Sequence, residues 1–422
     1  MKTRRIRKAT LQLLAAGVVL LLTSGCKLTS DEPTAEAILG NPAYPAMSYS
    51  GWRVTERDNA IAPTVEELKE DMQLIAAMGV RLIRTYNTQE FVQTERMLAA
   101  IRELKDADPD FEMYVMLGAW IRCFGEDTPE VDHSRGDVEF NNLEIERAIE
   151  MAATYPDIVK IIAVGNEAMV HWQPHHVAPG VILKWVRVLK AARAEGQLDR
   201  DLWITTSDNW AALGGEEQYH NADLVELLGT LDFISLHTYA FHDTYYNREF
   251  EWAVSTDAEL PLKEQRMRAV ERAVAHQQSQ LEAARAYMLA NGVEKAIHIG
   301  ETGWATRDDS HYGPEGTHAA DEYTSMLFHN EVRAWTESAG MSCFYFQAFD
   351  EPWKSSSVDG SESHFGLFNN EGQAKAVIWH LVDLGLFEGL GRNGNPVTKT
   401  FDGDFEHLLE SVKKPRLLKH ED

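Results

Sequence analysis

The 422-residue sequence predicts an α/β fold, a single-domain (β/α)8 TIM barrel. Three observations lead there. Short apolar runs alternate with amphipathic stretches from residue 46 to residue 390, the runs number eight, and no gap between them reads as a linker separating two cores. Parallel strands need both faces covered, and a helical crossover after each strand covers them and lets the sheet close. An open doubly wound sheet fits less well, because no glycine-rich phosphate fingerprint follows the first strand.

The strands fall at 47–51, 81–85, 113–117, 161–164, 202–206, 233–237, 296–300 and 343–349. The first intervening stretch shows why helices separate them. Thr64-Val65-Glu66-Glu67 is a capping box, Leu68, Met72, Ile75 and Met78 recur at helical spacing, and Gly79 stops the run. The same reasoning places helices over 92–104, 141–154, 180–194, 261–290, 320–339 and 374–384, with a short one at 222–228. Residues 391–422, including Asn393-Gly394-Asn395-Pro396, are expected to form an extension packed on the outside of the barrel, without chemistry of its own.

Residues 1–25 read as an export leader: Lys2, Arg4, Arg5, Arg7 and Lys8 precede an apolar stretch over 11–22. Thr23-Ser24-Gly25-Cys26 puts small residues directly before a cysteine and resembles the lipobox of bacterial lipoproteins. Cys26 is therefore expected to carry lipid and anchor the chain to a membrane. Lys27 in place of Asp resembles the pattern sorted to the outer membrane, so a cell-envelope location is expected. Residues 26–45, rich in Ser, Thr, Pro and Ala, are expected to be a flexible tether.

The formal net charge is −26. A body this acidic repels polyanions, which argues against nucleic acid and acidic glycans as partners, whereas a neutral glycan meets no such penalty. Cys123 and Cys343 belong to different barrel layers and predict no disulfide. No cofactor is expected. His171, His175 and His176 match no strong metal-ligand spacing, so no metal is expected either.

Two acidic segments carry the chemistry. Val164-Gly165-Asn166-Glu167 and Gly300-Glu301-Thr302-Gly303-Trp304 each follow a strand run, so Glu167 and Glu301 belong at the C-terminal ends of the fourth and seventh strands. Those ends face each other across a barrel mouth. Paired carboxylates in such a cleft suit glycoside hydrolysis, with separations of about 5 Å in retaining enzymes and a wider gap in inverting ones. The acid of the pair must stay protonated near neutral pH and the nucleophile ionised. Sequence order alone leaves the two roles open.

These segments, together with Leu117-Gly118-Ala119-Trp120, Ser235-Leu236-His237-Thr238-Tyr239, Ala348-Phe349-Asp350-Glu351-Pro352-Trp353-Lys354 and the stretch 81–86, resemble glycoside hydrolase family 17 over residues 48–368. The resemblance implies a retaining enzyme acting on β-1,3-glucans such as laminarin, with Glu167 as acid/base and Glu301 as nucleophile. It implies that Asn166 bonds the sugar 2-hydroxyl, that Tyr239 supports the nucleophile, and that Glu351 and Lys354 act as a pair. Tyr86, Trp120, Trp210, Trp304 and Trp353 are candidate sugar platforms, Trp304 and Trp120 foremost, because a pyranose stacks its apolar face on a ring. Asn87 and Gln347 stand where acidic residues are expected in such enzymes. The loop over 240–260, with Tyr245, Tyr246, Phe250 and Trp252, is expected to wall one end of the cleft, which points to exo action or short oligosaccharides. A glucanosyltransferase, or a non-catalytic glycan-binding lipoprotein, remains an alternative.

Overall fold

The computed structural model describes residues 32–247, 249–309, 312, 316–354 and 360–417, so the expected leader and Cys26 lie outside the described residues. Eight parallel strands close into a barrel: β1 (Ala46–Ser48), β2 (Leu82–Arg84), β3 (Tyr114–Ala119), β4 (Val159–Asn166), β5 (Trp203–Asn209), β6 (Ile234–His237), β7 (Ile297–Gly303) and β8 (Cys343–Phe346). Each strand pairs with the next, and β8 returns to β1. All eight expected strands are present, with β4, β5 and β7 running further toward the mouth than their apolar cores suggest.

The expected capping box at Thr64 is formed: its hydroxyl accepts from the Glu67 N–H, and Glu67 accepts from the Thr64 N–H at 2.8 Å. Leu68, Met72 and Ile75 from that helix are fully buried against the barrel. The expected 374–384 helix is instead a 3₁₀ turn (Ala376–Ile378) leading into the short helix Trp379–Asp383. A small hairpin, Cys123–Phe124 with Asp132–Gly136, follows β3 and was not expected, because its polar sequence shows no strand alternation. Cys123 and Cys343 are buried free thiols.

The tether expectation is corrected from Pro33 onward. Thr34 caps a one-turn helix, Ala35–Ile38, whose Ala35, Ile38 and Leu39 are buried. They pack beneath Ala46, Leu82, Tyr114, Ile161, Phe233 and Phe344, residues at or near the starts of six strands, and so plug the base of the barrel. The physical reason is an apolar triplet at i, i+3 and i+4, hidden among prolines, facing a barrel end that would otherwise expose its core.

The C-terminal extension is equally integral. Arg392 is fully buried; its Nε donates to Asp71 Oδ1 at 2.8 Å, and its Nη1 donates to the Asn370 carbonyl. Asp71, on the first crossover helix, also accepts from Arg53 at 2.7 Å and from the Tyr49 hydroxyl at 2.9 Å. A buried carboxylate so partnered meets its hydrogen-bonding requirement without water.

Candidate active site

Strand register brings the polar residues together before any loop is considered. His237 on β6 lies opposite Asn209 on β5 and Glu301 on β7, and Asn166 on β4 lies opposite Ser207 on β5. The pairing slips by a residue just before Asn166 and between Leu236 and His237, which re-aims the side chains at the mouth. Gly300 is required here. A Cβ on it would sit 2.0 Å from Ser235 Oγ and 2.7 Å from Ser207 Oγ, so only glycine lets β7 approach those hydroxyls.

Glu301 is buried and surrounded by donors. Arg84 Nη1 reaches Oε2 at 2.9 Å, the Tyr239 hydroxyl reaches Oε1 at 3.0 Å, and the Tyr86 hydroxyl lies 3.4 Å from the same oxygen. Burial acts to raise its pKa, but His237, Arg84, Lys354 and the Tyr239 hydrogen bond outweigh it and hold the carboxyl below the ordinary value. The Tyr86 and Tyr239 phenols are pushed well above their usual range, first by removal from water and then by the charge on Glu301. Both therefore remain donors at any working pH.

Glu167 sits where β4 turns outward. Gly165 has φ +83° and Glu167 itself has φ +45°, a left-handed conformation that costs a non-glycine residue of order 1 kcal/mol or more. The Glu167 N–H donates to the Ser207 carbonyl at 3.0 Å, which fixes the turn. Its carboxyl meets His237 Nδ1 at 3.1 Å and Gln173 Nε2 at 3.4 Å. Behind it, Asp208 is fully buried and pushed up to about 8, first by burial and then by the charge of Glu167, so it holds a proton near neutral pH.

His237 Nδ1 also lies 3.3 Å from Glu301 Oε2. One ring nitrogen thus reaches both carboxyls. A shared donor places the facing oxygens of Glu167 and Glu301 side by side at the mouth, an arrangement compatible with the roughly 5 Å spacing of retaining pairs. Asn166 Oδ1 accepts from Arg84 Nη2, which turns its amide N–H groups away from the guanidinium. Neither Arg84 nor His237 was singled out from sequence, although an arginine following apolar residues within a strand is a signal that could have found Arg84.

The Glu351 and Lys354 pair is no solvated loop bridge. Glu351 is 2% exposed, its carboxyl is pushed up by burial against the pull of Lys354, and the two meet at 3.2 Å. Asp350 does not compete for Lys354, since Lys375 at 2.7 Å and His364 at 3.1 Å engage it. Lys354 Nζ lies 3.9 Å from the centre of the Phe346 ring and helps hold Glu301 ionised.

The aromatic candidates divide. Trp304 is corrected: it is fully buried, donates Nε1–H to the Ala319 carbonyl at 2.9 Å, and packs among Phe241, Trp252 and Phe328, so no sugar can reach it. Its side chain continues β7 into the shell of helices rather than the mouth. Trp210 lines a cavity of about 690 Å³ that also holds Asn166, Glu167, Tyr239 and Glu301. Trp172, 58% exposed, and Tyr246, 60% exposed, line the same cavity and were missed as platforms, Trp172 because it lies outside any motif. Trp120 lies outside that lining, tilted against His175 at 4.5 Å, and Trp353 carries the Arg57 guanidinium 3.8 Å above its ring. Tyr86, Trp353 and Lys354 come from the loops after β2 and β8 and lie outside the lining of that cavity.

Further supports lie one layer back. Glu144, pushed up to about 7 by burial, accepts from the backbone N–H groups of Thr88, Gln89 and Trp120 and so ties the loops after β2 and β3 together. His175 Nε2 bonds the Asn166 carbonyl at 3.3 Å, and His133 stacks on His176 at 3.5 Å, so these histidines hold the loop that carries Trp172. The expected wall over 240–260 is corrected in part. Its helix Ala240–Tyr246 lines the cavity through His242, Asp243 and Tyr246, while Phe250 and Trp252 turn inward and are buried.

Residues 46–366 match the BtgE/BtgC glycoside hydrolase domain family. The crystal structure of an endo-laminarinase from Formosa Hel1_33_131 is 49% identical, with a TM-score of 0.88 over 92% of this chain and 98% of that one. A β-1,3-glucanosyltransferase from Rhizomucor miehei, solved with laminaritriose, is 18% identical with a TM-score of 0.55 over 79% of this chain and 96% of that one, a likeness of fold alone. A glucan 1,3-beta-glucosidase of Arthroderma benhamiae is 34% identical over 91 residues, 20% of this chain. The matched stretch spans 28% of that curated relative.

Proposed function

The chain belongs to the BtgE/BtgC glycoside hydrolase domain family, and on that premise we propose that it hydrolyses β-1,3-glucosidic bonds of laminarin-like glucans with retention of configuration. The observation that supports the mechanism is the single His237 nitrogen within reach of both carboxyls, which brings the two together across the mouth as a retaining pair requires. The surroundings assign the roles. Glu301, kept ionised by Arg84, Lys354 and Tyr239, attacks the anomeric carbon. Glu167, at the wall of the open cavity, gives its proton to the departing oxygen and then takes one from the water that releases the sugar.

Asn166 turns its amide N–H groups toward the 2-hydroxyl, a hydrogen bond that strengthens as charge builds at the anomeric centre. Trp210, Trp172 and Tyr246 offer ring faces to glucosyl units on the leaving-group side, where the cavity opens. A relative at 49% identity described as an endo-laminarinase supports internal cleavage over the exo action suggested by the loop. The acidic charge favours a neutral glucan over nucleic acid. We place the enzyme in the cell envelope through lipid on Cys26; mass spectrometry of the protein purified from membranes should find an acylated Cys26 as its first residue, and an unmodified, longer N-terminus would refute the anchor.

The test of the reaction is a time course on linear β-1,3-gluco-oligosaccharides followed by mass and anomeric NMR. Shorter products released first as the β-anomer are expected. First-formed α-anomer would overturn retention, and products longer than the substrate would make the enzyme a glucanosyltransferase.

A further inference from the structure

The ring of His237 is fully buried at the end of β6, and its two nitrogens face different neighbours. Nδ1 points at the carboxyls of Glu167 and Glu301, which in their ionised forms only accept, so the ring proton belongs on Nδ1. Nε2 meets the Ser207 hydroxyl at 2.6 Å, and Ser207 Oγ in turn lies 2.9 Å from Ser235 Oγ. With the proton on Nδ1, Nε2 is left to accept from the Ser207 hydroxyl, which in turn can accept from Ser235. Gly300 is what makes room for the pair, since any Cβ there would collide with both hydroxyls.

In a retaining cycle the negative charge changes owner twice. As Glu301 bonds to the anomeric carbon, the glycosidic bond breaks and the proton of Glu167 goes to the leaving oxygen; the charge passes from Glu301 to Glu167. When water attacks, its proton goes to Glu167 and the ester bond to Glu301 breaks; the charge returns. We propose that His237 is a positioning residue for both half-reactions, its Nδ1–H serving whichever of the two carboxyls is ionised, with Ser207 holding the ring in register. It keeps its proton throughout. A donor set 3.1 Å from one oxygen and 3.3 Å from the other needs only a small turn of the ring to follow the charge, so little reorganisation accompanies either step.

This inference rests on the retaining reading of the active site. Asn can place an amide N–H near the position of Nδ1, whereas Gln, one methylene longer, carries its amide toward Ser207. The test compares His237→Asn, His237→Gln and Ser207→Ala with the unaltered enzyme. A β-1,3-linked disaccharide carrying a dinitrophenyl leaving group reports breakdown of the glycosyl-enzyme, because its departure needs no acid; an unactivated oligosaccharide reports formation. His237→Gln should slow both half-reactions about 100-fold, the scale of removing one preorganised donor. His237→Asn should recover most of that in both, and Ser207→Ala should slow both about tenfold, with melting temperatures close to the parent's. Loss confined to one half-reaction, or equal loss in Asn and Gln variants, would overturn the proposal. The anomer released by the unaltered enzyme tests the retaining reading separately, so failure of one is distinguishable from failure of the other.

Discussion

The ends of β7 and β4 present the same functional group in opposite settings. Glu301, with a side chain 9% exposed, lies under Arg84, Tyr239 and Tyr86, and the tryptophan three residues on, Trp304, is sealed in the core. Glu167, with a side chain 17% exposed, has His237 and Gln173 beside it, and Trp172, five residues on, stands open to solvent over the cavity. The difference teaches that a carboxyl's role comes from its surroundings. A closed, cationic setting keeps a nucleophile charged and aimed, while an open one lets protons and a leaving sugar pass.

Five substitutions test that contrast, beginning with the largest effect. Glu301→Gln should lower kcat/KM on laminari-oligosaccharides by on the order of 10⁴-fold or more, since no neighbouring group can form the glycosyl bond; near-parental turnover would remove Glu301 from the reaction. Glu167→Ala should cost about 10²- to 10⁴-fold on the same substrates. It should cost far less on a dinitrophenyl glycoside, and azide should enter the vacated space to give a β-glycosyl azide. An α-azide product instead would exchange the two roles.

Arg84→Met should lower activity by about 10- to 100-fold and move the acid limb of the pH profile upward. The sign follows from Glu301, which must be ionised to act and whose carboxyl sits below its ordinary value partly through Arg84. The same depression stabilises the fold above the unfolded carboxyl pKa, and that contribution is lost as pH falls through the folded value. Melting temperatures of the parent and Arg84→Met should therefore converge on acidification, and an unmoved acid limb would mean that other donors suffice. The smallest change is expected at the open end. Trp172→Ala should raise KM several-fold, by about 1 kcal/mol of lost stacking, and leave melting unchanged. Trp304→Ala should instead lower stability by about 3–5 kcal/mol, as the loss of a buried core aromatic does.

Much of this was legible in the sequence for a simple reason. Parallel strands buried on both faces read as apolar runs, and glutamates directly after two of them had to reach the mouth. Arg84 and His237 were harder. Each sits inside or at the end of such a run; closure of the barrel brings Arg84 on β2 to the carboxyl on β7, and the pairing of β6 with β7 brings His237 there. Trp304 was misread because proximity in sequence to Glu301 says nothing about which side of β7 the ring takes; it enters the helix shell between Trp252 and Phe328. The segment after Pro33 was misread because its composition resembles a linker, whereas three apolar residues at one helical face decide its fate.

The bond between Arg392 and Asp71 also has a meaning in time. Asp71 leaves the ribosome early and can meet Arg53 and Tyr49 as soon as its helix forms. Arg392 arrives 321 positions later, and it also grips the Asn370 carbonyl and lies 4.1 Å from the centre of the Phe349 ring. Until then the first crossover helix lacks the clasp that joins it to the eighth strand's loop. A growing chain thus cannot close this clasp until residue 392 has been made, a delay inherent in contacts of such long span.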